Sequence, residues 1–310
     1  MTNTNIIKAL FIGLLTVSNV CKAQEVNDSI QGSDGATLYD WAFVGSNGLI
    51  YVANHGPESI YDLKNFAIID RTGKVLIDGE NSWVEIDYDL EAGYGFFSDQ
   101  QYQAFGEKGK GYGIMDNSLN IMIPAQFSEI KVTGDYAATK VSSDSDWQIM
   151  YIPDANVVGT VPGKYNIDDI SEGTVLAYTE EEPFVYLDFR GEVIIPYSAL
   201  QEFYIVCGFR DGLALVLDQN ANEGYIDKEG TIVIPCSYYL IESLTNAKDS
   251  YFKNGVALVE SATNGCGAID KAGKQIIPFG KYSSLTHLPN GNIGAFNYDT
   301  EDVLRYTEFD

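Results

Sequence analysis

The chain has 310 residues and a formal net charge of −25, from 44 acidic and 19 basic side chains. Charge of that sign and size repels phosphate backbones and anionic headgroups, which excludes nucleic acid as an expected partner and favours solubility and basic or cationic ligands. With 45% hydrophobic residues, 30 glycines, and Tyr and Phe dominating the aromatics, the composition is that of a globular, turn-rich β protein.

The N-terminal segment has the form of a targeting signal. Lys8 precedes the apolar run Ala9–Val17, and small Ala23 stands before Gln24, where cleavage would fall. The run is shorter than the about 20 residues a bilayer span needs. Val20 and Asn19 argue against a lipid anchor on Cys21. The expectation is a signal peptide over 1–23, a linker over 24–40 and one β-repeat domain over 41–310. The mature chain is expected to be exported, periplasmic or extracellular, without membrane insertion. Three cysteines remain after the signal, Cys207, Cys236 and Cys266, and their odd number rules out a fully paired framework. A bridge between Cys236 and Cys266 stays open.

Beyond the apolar strand Trp41–Val44, one sentence recurs along the chain. Its clearest copy is Gly224–Pro235: a strand, an Asp-to-Gly turn and a second strand stopped by proline. The Asp recurs at Asp70, Asp116, Asp188, Asp227 and Asp270, with Tyr151 in a divergent copy; prolines follow at Pro124, Pro162, Pro196, Pro235 and Pro278. Upstream lies Gly-x-Ala-x-Val, at Gly212–Val216 and Gly255–Val259, with looser forms from Gly48, Gly134 and Gly173. The interval from Gly to Asp is identical in three consecutive copies, 173 to 188, 212 to 227 and 255 to 270. Each unit therefore holds three strands: a (the Gly-x-Ala-x-Val strand), b (ending at the Asp) and c (ending at the proline). Aromatic and aliphatic residues after the proline, such as Phe127 and Ile130 or Tyr238 and Ile241, form either a fourth strand or a crossover.

The b–c turn accounts for its own residues. Asp caps it through its carboxylate and Gly supplies positive φ. Strand c is apolar at consecutive positions, as in Ile232-Val233-Ile234, which predicts burial on both faces. Sheets buried on both faces arise by blade-like stacking, so the predicted fold is all-β: tandem antiparallel three- to four-stranded repeats in a closed, propeller-like ring of six to seven sheets, with an open solenoid of the same repeats as the alternative. Residues 291–296 and 303–306 look like strands a and b of a seventh copy, and Trp41–Val44 is expected to complete that last sheet and close the ring.

These units resemble the WG-repeat family, whose repeats run Trp-Gly-x-Ile-Asp, a basic residue, a turn Gly, aliphatics and Pro. Gly224, Ile226, Asp227, Gly230 and Pro235 fit, as do Gly267, Ile269, Asp270, Gly273 and Pro278, and Gly113, Asp116 and Pro124. The similarity covers residues 45–300 and is best over 170–280. The Trp slot holds Phe66, Tyr112, Trp147, Phe184, Glu223 and Cys266. The resemblance implies a bacterial repeat scaffold, often exported, and offers no catalytic residue to carry over.

No catalytic, cofactor-binding or metal-binding residue is expected. His55 and His287 fall in unrelated loops, no His-Glu-x-x-His or Gly-x-Ser-x-Gly motif occurs, and the repeat aspartates are explained as turn formers. Asp144–Trp147 is expected to be a polar hairpin tip and Glu180–Pro183 an acidic loop. The asymmetry lies between the two sheet edges. The a–b loops (53–65, 98–111, 142–146, 179–183, 218–223, 260–265) hold 12 acidic residues and 3 lysines, whereas the b–c turns carry Arg71, Lys74, Arg190, Lys228, Lys271 and Lys274 against Glu192 and Glu229. The expected function is a non-enzymatic scaffold binding a protein, peptide or glycan at the acidic edge, with Tyr61 and Tyr102 as sugar-stacking surfaces. The alternative is a carbohydrate-active hydrolase whose carboxylates converge at the ring centre.

Overall fold

The computed structural model describes residues 30–31, 37–39, 41–44, 50–56, 59–70, 74–78, 82–84, 101–107, 109–116, 118–239, 250–288, 292–297 and 300–305. The signal peptide over 1–23, most of the linker and Gly48, Ile241 and Gly291 lie outside them. The chain is all-β and divides into two compact units, 1–128 and 129–310. Among the described residues helical structure is limited to the 3-10 turn Tyr197–Ala199 and a 3-10 residue at Ser250, and no helix is long and apolar enough to cross a membrane.

The first unit holds a two-stranded ribbon, β1 (Ile30–Gln31) and β2 (Thr37–Tyr39), then two four-stranded antiparallel meanders. One is β3 (Trp41–Val44), β4 (Ile50–Gly56), β5 (Ser59–Ile69) and β6 (Val75–Asp78). The other is β7 (Ser82–Val84), β8 (Tyr102–Glu107), β9 (Gly111–Asp116) and β10 (Ile121–Phe127). Trp41–Val44 does not close the last sheet: it pairs with β4, Trp41 opposite Ala53. The reason is local. A strand joined to its neighbour by a short connection forms a hairpin with far less loss of chain entropy than one recruited from the other terminus.

The second unit stacks five such sheets. They are β11 (Glu129–Thr133), β12 (Tyr136–Lys140), β13 (Trp147–Tyr151) and β14 (Asn156–Val161); β15 (Asn166–Ser171), β16 (Thr174–Tyr178), β17 (Val185–Asp188) and β18 (Val193–Ile195); β19 (Phe203–Arg210), β20 (Leu213–Asp218), β21 (Asn222–Ile226) and β22 (Ile232–Tyr239); β23 (Val256–Ser261), β24 (Gly265–Asp270) and β25 (Gln275–Ile277); and β26 (Ser284–His287), β27 (Asn292–Asn297) and β28 (Thr300–Arg305). A single pair, Tyr239 opposite Glu260, joins the third sheet to the fourth. The segment after the proline is thus strand, divided between two sheets: Phe127 and Tyr238 end their own, opposite Tyr112 and Glu223, whereas Ile130 leads the next on β11, opposite Thr139. The last two ranges confirm strands a and b of the seventh copy.

Strands a are buried on both faces, as their sequence predicts. In β20, Leu213, Leu215 and Leu217 pack towards the fourth sheet with Ala257, Val259 and Ile269, while Ala214 and Val216 pack towards the second with Leu176, Tyr186 and Ile195. In β23, Val256 and Leu258 turn the other way, onto Leu285, Ile293 and Ala295 of the fifth sheet. The leading strands adjoin one another, β15 lying against β11 on one side and β19 on the other. Leading strands therefore gather at one edge, as in a blade arrangement.

Strand c departs from expectation. Ile234 is 3% exposed but Ile232 and Val233 are each 40%, and Val193 and Ile194 repeat the pattern ahead of buried Ile195. Strand c is the outer edge of its sheet, and its β-branched residues serve strand geometry rather than two-sided burial. Proline ends β18 and β25, yet β10 and β22 run on through Pro124 and Pro235. Both cross it where the register with strand b shifts, a place where a missing N–H is tolerated.

Candidate functional site

The b–c turns behave as the repeat requires. The Oδ1 of Asp227 accepts the N–H groups of Glu229 (3.1 Å) and Thr231 (2.8 Å); Asp188 does the same for Arg190 and Glu192, and Asp270 for Ala272 and Lys274. Gly191, Gly230 and Gly273 all have φ near +78° (78°, 80° and 76°). The repeat aspartates are turn formers here too.

On the same edge, the turns between leading strand and strand a tie one sheet to the next. Glu172-Gly173 and Asp211-Gly212 each place two successive residues at positive φ, the tight hairpin form. The Glu172 carboxylate accepts the Gly212 N–H (2.9 Å), and Asp211 accepts that of Gly255 (2.7 Å). Lys228 donates to the Glu172 carbonyl (2.7 Å) and Lys271 to that of Asp211 (2.9 Å). Lys228 and Lys271, each next to its turn Asp, thus fasten their sheets to the preceding ones. These staples engage two of the six basic residues read on this edge.

The acidic a–b edge is smaller than the sequence predicts. Residues 53–56 and 59–65 belong to the long hairpin β4–β5, and 102–107 is strand β8, so two predicted loops are mostly strand. Their alternating hydrophobic pattern, not their glycines and charges, decides the outcome. Tyr102 is a buried core residue and offers no sugar-stacking surface; Tyr61 lies within β5. His55 and His287 likewise lie on strands, β4 and β26, not in loops. In the second unit the edge holds up. The tip 141–146 exposes Asp144, while Asp146 accepts the Gly163 N–H (2.8 Å). In the loop after β16 the Thr179 hydroxyl accepts the N–H groups of Glu181 and Glu182, which leaves Glu180 and Glu181 exposed to solvent. Asp218 caps its own loop, and hydrogen bonds from Asn222 first, then Asn220, hold its carboxyl below the usual range.

A second constellation, at the edge of the leading strands, was not legible in the sequence. Arg210 on β19 grips Asp169 on β15 with two hydrogen bonds (2.7 and 3.1 Å) and lies 5.5 Å over the Tyr251 ring. Tyr186 donates to the Cys207 carbonyl, and burial pushes the Cys207 thiol up to about 11. Nearby, Glu223 is 0% exposed and neither carboxyl oxygen has a hydrogen-bond partner among the described residues. Burial raises its carboxyl to about 7; the nearby Ser250 hydroxyl, short of hydrogen-bond geometry, opposes the rise, and the Glu260 charge adds a smaller amount to it. The sequence places Glu223 at the end of an acidic loop. Its true signal is the slot, in which the other copies carry aromatic or apolar residues.

In two copies the slot holds a hydrogen-bond donor. The Trp147 indole N–H donates to the Tyr165 carbonyl (2.7 Å), and the Cys266 thiol donates to that of Tyr282 (3.2 Å). The glycine after it is equally constrained. A Cβ on Gly224 would meet the Cys236 nitrogen at 2.7 Å and the Ile234 oxygen at 2.8 Å, and one on Gly267 the Phe279 ring at 2.7 Å. A slot donor, then a glycine over which the next strand closes, then Ile-Asp and the turn, is the WG unit; the family model for the WG containing repeat matches residues 224–247. That match spans one repeat of the chain.

No curated protein matches this chain. Among solved structures it overlaps weakly with Hsv2p from Kluyveromyces lactis (14% identity, TM-score 0.39, 64% of this chain and 69% of that one) and the WD40 β propeller domain of Doa1 (11%, 0.35, 85% and 88%). A third is BamB from Moraxella catarrhalis (10%, 0.31, 75% and 64%). Cys207, Cys236 and Cys266 are all free thiols, so the Cys236–Cys266 bridge does not form.

Proposed function

We propose that this WG-repeat chain is an exported, non-enzymatic scaffold that binds a basic segment of a protein or peptide at the acidic a–b edge of its second unit. The observation that carries this reading is the loop 179–184, where a threonine-capped turn holds Glu180 and Glu181 in solvent beside the Asp144 tip of the preceding sheet. On the opposite edge Lys228 and Lys271 are engaged in staples between sheets, whereas these carboxylates have no ion-pair partner among the described residues. Carboxylates held apart from cations and backed by a stacked β core attract cationic side chains over several ångströms and steer association. Export follows from the Lys8–Ala23 segment. A peptide or protein ligand is favoured over a glycan because Tyr102 is core.

The test is calorimetric titration of the purified mature chain with a Lys/Arg-rich peptide, an acidic peptide and neutral oligosaccharides, each at low and high salt. Binding of the basic peptide alone, weakening as salt rises, is the expected result. Salt-independent binding, or preference for the oligosaccharides, would contradict it.

A further inference from the structure

Glu223 carries an inference independent of the acidic edge. It stands on β21 two residues before Tyr225, on the same face, and that face makes the junction between the third and fourth sheets of the second unit. There Tyr225 donates to the Ser250 carbonyl (2.7 Å) and meets the Phe252 ring edge-on at 4.8 Å. Glu223 is fully buried, opposite Leu217 on one side and Tyr238 on the other. Among the described residues, the titratable and polar groups facing it are Ser250, Glu260, Tyr225, Tyr238 and Cys207. None of these is a cation at neutral pH. Arg210, the cation of the inner edge, is committed to Asp169.

A buried carboxylate without a counter-charge or donor is strongly disfavoured, whereas a neutral carboxyl has an O–H to donate. Where the slot is seen to donate, the donor is neutral: in the first sheet Trp147 supplies an N–H to the carbonyl of Tyr165, and in the fourth Cys266 supplies an S–H to that of Tyr282, whereas Phe184 fills it in the second as an apolar residue. Glu223 fills the equivalent place in the third. We propose that Glu223 is a protonation latch on this junction, neutral and closed in mildly acidic surroundings and loosened when the carboxyl ionises.

The sign follows from linkage. The unfolded chain releases this proton near the ordinary value of 4.5, the folded chain only near 7. Between those values the folded state holds one proton more, so stability at the junction falls as pH rises; below 4.5 the effect is absent, and above 7 it is complete. The effect approaches tenfold per pH unit across that window, a few hundredfold in all.

Glu223→Gln keeps the size and a hydrogen-bond donor without the titration. Hydrogen exchange of peptides covering β21 and β23 is to be compared between the full wild-type chain and E223Q from pH 5 to 9, so that intrinsic exchange rates cancel. The latch predicts near parity at pH 5 and increasing relative opening of the wild type up to neutrality. Parallel profiles would overturn it. Should E223Q not fold, infrared spectroscopy of the wild type decides. A protonated-carboxyl stretch persisting at pH 6 and lost by pH 8 is expected, and its absence at pH 6 rejects the latch.

Discussion

Gly224 shows how little freedom a repeat residue has. Its φ is unremarkable, yet the bulged passage of β22 past Pro235 brings backbone atoms within 2.8 Å of where a Cβ would sit. Gly224→Ala must therefore displace a strand rather than a flexible side chain. A loss of about 1–3 kcal/mol is expected from overpacking of this kind, measurable by urea unfolding. Trp147→Phe tests the slot in the opposite sense. It preserves apolar area but leaves the Tyr165 carbonyl without its donor, so a loss of about 1–3 kcal/mol is expected. At this scale the sequence is informative about Asp and Gly of the turn, because both act within four residues of themselves. It is silent about Glu223 and Arg210, whose roles depend on Ser250, Tyr251 and Asp169, contributed by other strands.

Between elements, the staples divide into strong and weak. Lys228 and Glu172 are both about one-third exposed, at 38% and 32%, so their ion pair is screened and Lys228→Met should cost no more than about 1 kcal/mol. Arg210 and Asp169 are less exposed, at 31% and 16%, and doubly hydrogen-bonded. Arg210→Met strands a largely buried carboxylate and should cost about 2–4 kcal/mol, seen as a lower urea midpoint with unchanged slope. The strand count and order were readable from periodicity, since strands a alternate between two cores and must be apolar throughout. Strand c has the same apolar signature for a different reason. Continuous β-branched residues do not distinguish a strand buried on both faces from an edge strand whose last residue alone, Ile195 or Ile234, enters the core. Likewise Ile130, after the proline, points forward to the next sheet, because hairpin partners are chosen by proximity along the chain.

For the molecule as a whole, the formal net charge is −25, from 44 acidic against 19 basic residues. Mutual repulsion destabilises such a chain at low ionic strength, so added sodium chloride should raise the Tm of the mature chain, a shift readable by differential scanning fluorimetry. The same charge is what the proposed partner would neutralise. The motif residues that first attract notice, Asp227 and Lys228 among glycines, are occupied with turns and staples, and the variable loops are left to make contact with other molecules. The most direct test compares two variants for binding of a Lys/Arg-rich peptide: one carrying D144N, E180Q and E181Q, the other K228M and K271M at the opposite edge. The acidic-edge variant is predicted to lose at least tenfold in affinity, with the opposite-edge variant within twofold of wild type. Equal loss in both, or loss only in the lysine variant, would contradict the placement of the binding edge.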